Sequence, residues 1–173
     1  MEDWRWMSAK EMGRGIAAGE IEPVAMPETY HGAIESHDFS GRIYARLTPD
    51  RARAEAKAAA ARAKVGTRRS PLDGVPISWK DLFDSAGLAT EAGSALLQGR
   101  VPAEDAVVLR LASDAGLVCL GKTHMTELAF SGLGLNPVTA SPPNANDPNL
   151  VSGGSSSGAA TSVAYGLAAA GIG

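Results

Sequence analysis

The chain reads as an α/β layered domain, and three observations point there. An alanine-rich helix runs from Pro49 to Lys64 behind a Thr48 that can cap it. A turn, Ser70-Pro-Leu-Asp-Gly74, leads into the apolar extended run Val75-Pro-Ile-Ser-Trp-Lys80. A helical pattern from Glu104 to Asp114 stops at Gly116 and is followed at once by Leu117-Val-Cys-Leu120, a short buried strand. Helix alternating with apolar strand is the rhythm of helices layered on a sheet.

The remaining elements follow in order. Ser8-Ala-Lys-Glu11 has capping-box spacing, and Met12 and Ile16 lie four apart, so a helix is expected to about Ala18. Pro23 and Pro27 punctuate, and a second helix is expected over about Glu28 to Ser36. Ile43-Tyr-Ala-Arg-Leu47 alternates like a short strand, and Gly66 ends the alanine-rich helix. Pro76 suits an edge or the opening position of its strand. In the 104–114 helix, Val107, Val108 and Leu111 share one face, the expected core side. Residues 136–152, NPVTASPPNANDPNLVS, hold four prolines and have to be irregular, and a loop of that length is more often functional than idle. The Ala-rich run from Ala159 to Ala170 is expected as a helix packed closely on the sheet.

Composition limits the function classes. With 173 residues, 45% hydrophobic and 20% charged, the chain has the make-up of one soluble domain with a sizeable core. A formal net charge of -3 and the lack of a basic stripe speak against nucleic acid. No apolar run is long enough for a membrane span, and the charged amino terminus is unlike a secretory signal. The one cysteine, Cys119, has no disulfide partner, which fits a reducing cytoplasmic setting. After Lys122 there is no Lys or Arg, and only Glu127 and Asp147 are acidic, so the segment 123–173 is expected to be largely buried.

Four motifs bear on chemistry. Gly116-Leu-Val-Cys-Leu-Gly-Lys-Thr123 matches the letters of a phosphate-binding loop, but its middle reads as the strand itself, and ladder amides cannot cradle a phosphate. His31, His37 and His124 lack metal-ligand spacing, and Cys119 reads as a small buried hydrophobe. Lys80, ending VPISW, either snorkels past Trp79 or is a partly buried amine able to act as a base. Val151-Ser-Gly-Gly-Ser-Ser-Ser-Gly-Ala-Ala160 alone would read as a linker, yet it lies within the charge-poor segment expected to be buried. With no histidine placed beside a reactive serine, a lysine is the expected base.

Together, three stretches resemble the amidase signature family of serine hydrolases: Gly74-Val-Pro-Ile-Ser-Trp-Lys-Asp81, Gly121-Lys-Thr-His-Met-Thr-Glu-Leu-Ala129, and Ser152-Gly-Gly-Ser-Ser-Ser-Gly158 before its Ala-rich run. The likeness runs from about Ala9 onward and is strongest from Leu72. It implies a mixed sheet covered by helices, with residues 1–173 as the N-terminal part of a single, incomplete amidase signature domain. It implies a Ser-Ser-Lys relay in which Lys80 is the lysine and Ser155 the bridging serine, the latter following a cis Gly154–Ser155 bond. Ser156, Ser157 and Gly158 would then start the helix behind it. The nucleophilic serine would belong to a second glycine-rich stretch directly after Gly173, and no serine within 1–173 takes its place, so the chain by itself is expected to be inactive.

The implied activity is hydrolysis of a carboxamide C–N bond in a small-molecule amide, without cofactor or metal, and without nucleic acid or membrane as partner. Two alternatives stand: a glutamine-hydrolysing subunit of a tRNA-dependent amidotransferase, and a non-catalytic interaction module. The sequence leaves the oligomeric state open, a homo-oligomer included.

Overall fold

Residues 4–173 are described by a computed structural model. Ser8 starts the first helix as its spacing predicts. Its Oγ accepts the Glu11 N–H at 3.2 Å, and Glu11 Oε2 accepts the Ser8 N–H at 2.8 Å, opening α1 (Ala9–Ala18). Helix α2 (Ala25–Glu35) begins three residues earlier than expected, with Pro27 inside it. Pro27 falls in the first turn, where no backbone N–H has an intrahelical partner to lose. A single helical turn, α3 (Ser40–Ile43), leads into strand β1 (Tyr44–Leu47). Helix α4 (Pro49–Lys64) matches its expected bounds. Its Arg62 grips the buried Asp73 carboxylate at 2.6 and 2.8 Å, tying the helix end to the turn before β2 (Pro76–Lys80).

Helix α5 (Val107–Asp114) starts three residues later than the sequence pattern implies. Asp105 bonds the Ala86 N–H at 2.7 Å and Arg51 Nη2 at 3.0 Å, which holds the preceding segment outside the helix. The expected core face is also corrected. Leu109 and Ala112 are buried, whereas Val107 is 60% and Leu111 62% exposed. Both stripes are apolar and helically spaced, so periodicity alone could not choose between them.

Strand β3 (Val118–Thr123) is longer than expected and takes in the whole of Gly121-Lys122-Thr123. Those residues pair on both sides, antiparallel to β1 and parallel to β2, so the phosphate-loop lettering belongs to a ladder. Helix α6 (Ser157–Ala164) is shorter than the expected 159–170 helix. It stops before Gly166, which is left-handed at φ 64°, and Ala170–Ile172 become β4, parallel to β2. Pairing with β2 outweighs the helix propensity of alanine there, because it satisfies backbone groups that β2 would otherwise leave open. The sheet order is β1-β3-β2-β4, open and mixed, and Pro76 opens an interior strand.

The core gathers Met12, Ile16, Met26 and Tyr30 from α1 and α2 against Ile77, Trp79, Cys119 and Leu120 of the sheet. Helix α6 crosses the sheet closely at Gly158. A Cβ built there would lie 2.6 Å from the carbonyl oxygens of both His124 and Ile43. Both obstacles are backbone, so Gly158→Ala is expected to destabilise the fold by about 1–3 kcal/mol. Its urea midpoint should fall accordingly, and an unchanged midpoint would contradict the packing at this crossing.

The charge-poor segment 123–173 is not largely buried. Phe130 is 95% exposed, Leu133 57% and Leu150 60%. Short polar side chains rather than charges satisfy its backbone: Asn136 Oδ1 accepts the N–H groups of Val138 and Thr139 at 2.9 and 3.1 Å, and Asn144 Oδ1 that of Asn146 at 2.8 Å. Low charge therefore does not signal burial here. Among the described residues no helix is long and apolar enough to cross a membrane.

Candidate active site

Lys80 is the last residue of β2, and strand alternation decides where it points. Ser78, two residues earlier, meets Ser162 of α6 at 2.8 Å between hydroxyls. Lys80 therefore faces the same helix, and its amine donates to Ser155 Oγ at 2.7 Å and to Ser156 Oγ at 2.9 Å. Only 4% of the residue is exposed, so it does not snorkel to solvent. Burial pushes its pKa below the ordinary lysine value, and among the described residues no carboxylate pairs with it. The result is a buried amine held by two hydroxyls.

Ser155 is presented by the glycine-rich turn at the foot of α6, and the Gly154–Ser155 peptide bond is cis. The loop 124–134 backs that turn. The Thr126 N–H donates to the Ser155 carbonyl at 3.1 Å, and the Gly154 N–H to the Gly132 carbonyl at 2.9 Å. Leu128 and Ala129 in this loop are left-handed, at φ 49° and 60°, a conformation few side chains adopt without support. The support is polar: Leu128 N–H bonds Ala92 O at 2.9 Å, and Ser94 Oγ bonds Glu127 Oε1 at 2.7 Å. Buried Asn136 ties the loops together, its Nδ2 donating to Gly93 O and Met125 O, each at 2.8 Å. Ser155 opens onto a shallow depression lined by Ala129, Phe130, Ser131 and Gly132.

Other candidates separate from this cluster. Cys119 is buried in β3, and desolvation pushes its thiol up to about 12, well out of nucleophile range. His31 is buried against the Leu120 carbonyl at 2.9 Å, and His37 packs on Tyr165 with ring centroids 4.9 Å apart. His124 lines a different cavity with Arg46, Asp81 and Glu91, and burial lowers its pKa.

A family model described as Amidase matches residues 27–173. The chain belongs to the amidase family. Its curated relatives include a glutamyl-tRNA(Gln) amidotransferase subunit of Anaeromyxobacter dehalogenans, 41% identical over 167 residues, or 96% of this chain and 34% of that protein. The namesake from Thermobifida fusca is 36% identical over 91% of this chain and 32% of its own. Among solved structures, the native peptide amidase from Stenotrophomonas maltophilia superposes with a TM-score of 0.85 at 32% identity, over 95% of this chain and 35% of that one. Fatty acid amide hydrolase gives 0.89 at 26% identity, over 99% of this chain and 31% of its own. The chain thus spans about a third of the length of the amidases it matches, and its mixed sheet is the amidase signature fold.

Within this amidase-family chain, two features of the site escape sequence reasoning. Ser156 reads from sequence only as a helix-starting residue, yet it shares the Lys80 amine with Ser155. Lys122 reads from sequence as part of a phosphate-loop pattern and of a family-like stretch, with no role of its own, yet it is fully buried and pairs with Asp81 at 2.9 Å. A lysine inside an otherwise apolar strand is the available signal, since an interior charge needs a partner.

Proposed function

We propose that this chain carries the proton-relay half of an amidase that hydrolyses a carboxamide C–N bond through a Ser-Ser-Lys relay. The observation that supports it is the buried Lys80 amine 2.7 Å from the Ser155 hydroxyl. A neutral Lys80 takes a proton from Ser155, which takes one from the attacking serine as that serine's oxygen bonds to the amide carbon. The chain of transfers then reverses and delivers a proton to the departing amine as the C–N bond breaks. Water hydrolyses the resulting acyl-enzyme by the same relay. Backbone amides of a glycine-rich turn hold the oxyanion. The attacking serine is proposed to lie in a glycine-rich segment following Gly173, and the route draws on no cofactor.

The test is amide turnover by the protein encoded by the full reading frame, measured against pH. Burial lowers the Lys80 pKa, so the free-base form is populated at lower pH than for an ordinary lysine. The relay needs that form, so kcat/KM should rise with pH as Lys80 loses its proton and then level off. The inflection is expected below the ordinary value of 10.5. A rate indifferent to pH up to that value, in an enzyme shown to use Lys80, would contradict a titrating lysine base.

A second reading has its own support, because relatives at 41% and 36% identity are named as subunits of glutamyl-tRNA(Gln) amidotransferase. Under it the amide is that of glutamine, released for a tRNA-dependent step. Glutamine turnover that depends on glutamyl-tRNA and co-expressed partner proteins would favour this reading. Turnover of simple aryl or aliphatic amides by the protein alone would favour the first. Absence of both would leave a non-catalytic module.

A further inference from the structure

We propose that Asp81 and Lys122 form a positioning pair that fixes the Lys80 amine against Ser155 from the opposite face of the sheet. The proposal rests on the amidase reading of Lys80 and Ser155. It starts from two adjacent residues that alternation sends apart. Lys80 turns toward α6, while Asp81 turns to the face where Lys122, the register partner of Trp79, projects.

The Asp81 carboxylate is 3% exposed and Lys122 not at all, and the two meet at 2.9 Å. Asp81 Oδ1 also receives Arg46 Nη1 at 3.5 Å, and Oδ2 receives the Glu91 N–H at 3.1 Å. Lys122 spends its other protons on Thr90 Oγ1 and, at 3.3 Å, on the Ala89 carbonyl. Arg46 also pairs with Glu91, so two cations and two anions close the cluster.

The Asp81–Lys122 pair is a firm anchor because separating it strands a buried charge on either side, while Arg46 and Glu91 close the cluster from its partly exposed edge. Its backbone leads toward both halves of the relay. The Asp81 N–H bonds Thr123 O at 3.0 Å, holding the end of β2 to β3 directly behind Lys80. Asp81 O accepts the Ala92 N–H at 3.1 Å, Ala92 O accepts the Leu128 N–H at 2.9 Å, and Thr126 two residues earlier donates to Ser155 O. One ion pair thus braces the strand that ends in the amine and the loop that supports the hydroxyl. Neither Asp81 nor Lys122 is bonded to Ser155 or Ser156, so the pair acts through the placement of Lys80.

The test uses the protein encoded by the full reading frame, with a primary amide and the p-nitrophenyl ester of the same acid as substrates. A departing amine needs the relay's proton, whereas nitrophenolate leaves without one, so a displaced relay penalises the amide more. Lys122→Met is expected to lower kcat on the amide about 100-fold, with KM within about threefold and the ester rate falling less than about tenfold. Lys122→Arg should recover most of the amide rate, and Asp81→Asn added to Lys122→Met should cost little more than Lys122→Met alone.

Amide and ester rates that fall by one common factor, tracking the loss of folded protein, would overturn the proposal, as would an unchanged amide rate. Should Lys122→Met not fold, Thr90→Val removes one acceptor from the amine, keeps the ion pair, and is read by the same amide-to-ester ratio. Lys80→Met separates the two ideas. If it retains amide turnover, the relay reading itself fails. If it is inactive while the Lys122 variants keep the wild-type ratio, only the positioning pair fails.

Discussion

Lys80→Met in the protein encoded by the full reading frame is expected to lower kcat for amide hydrolysis about 10⁴-fold, a loss typical of removing one member of a catalytic unit. The residue is the only amine bonded to Ser155 among the described residues, and no histidine lies in that hydrogen-bonded cluster to take over. Methionine matches the length of the lysine stem and removes a cation that burial already disfavours. The fold should therefore survive, with a melting temperature within about 4 °C of the parent. Circular dichroism and turnover on one preparation check both statements. A folded Lys80→Met protein with near-parental amide turnover would remove the basis for the relay.

The 173-residue chain by itself is expected to hydrolyse no amide above the uncatalysed rate, while the full reading frame does. The proposed relay needs an attacking hydroxyl, an oxyanion site and both proton carriers, and the loss of one member of such a catalytic unit is grossly non-additive with the rest. Ser156 is the one alternative nucleophile within the cluster, at 2.9 Å from the same amine. Were it to attack, its proton would pass straight to Lys80 and Ser155 would have no part in the transfer. Amide turnover by the short chain that survives Ser155→Ala and is abolished by Ser156→Ala would thus reverse the assignment of roles. The short chain should also self-associate in light scattering, because the apolar side chains of Phe130, Leu133 and Leu150 lie exposed.

Local chemistry is sufficient for much of this protein. The Ser8 capping box, Pro49 in the first turn of α4 and the apolar run ending in Lys80 each announce their element through neighbours in sequence. The Thr48 hydroxyl, expected to cap α4, instead donates to the Cys119 carbonyl of β3 at 2.8 Å. The order and separation of the three quoted stretches are enough to identify the amidase family, which the match over residues 27–173 shows. Where two local solutions are nearly equal, the sequence does not decide. The apolar stripes of α5, 107/108/111 and 109/112, have the same period, and only the position of the sheet buries the second.

Tertiary structure decides what depends on partners far along the chain. The expected helix over 159–170 stops at Ala164, and Ala170–Ile172 become β4, since β2 offers them a ladder that no local rule foresees. Lys122 carries the letters of a phosphate loop, but its charge is met by Asp81, brought beside it by parallel pairing of β2 with β3. The meeting of Lys80 with Ser155 and Ser156 spans 75 and 76 residues. Sequence names the residue types that proton transfer needs. Only the alternation of β2, the crossing of α6 at Gly158 and the pairing of neighbouring strands set their distance, because hydrogen-bond geometry is a property of the folded contacts and not of either segment alone.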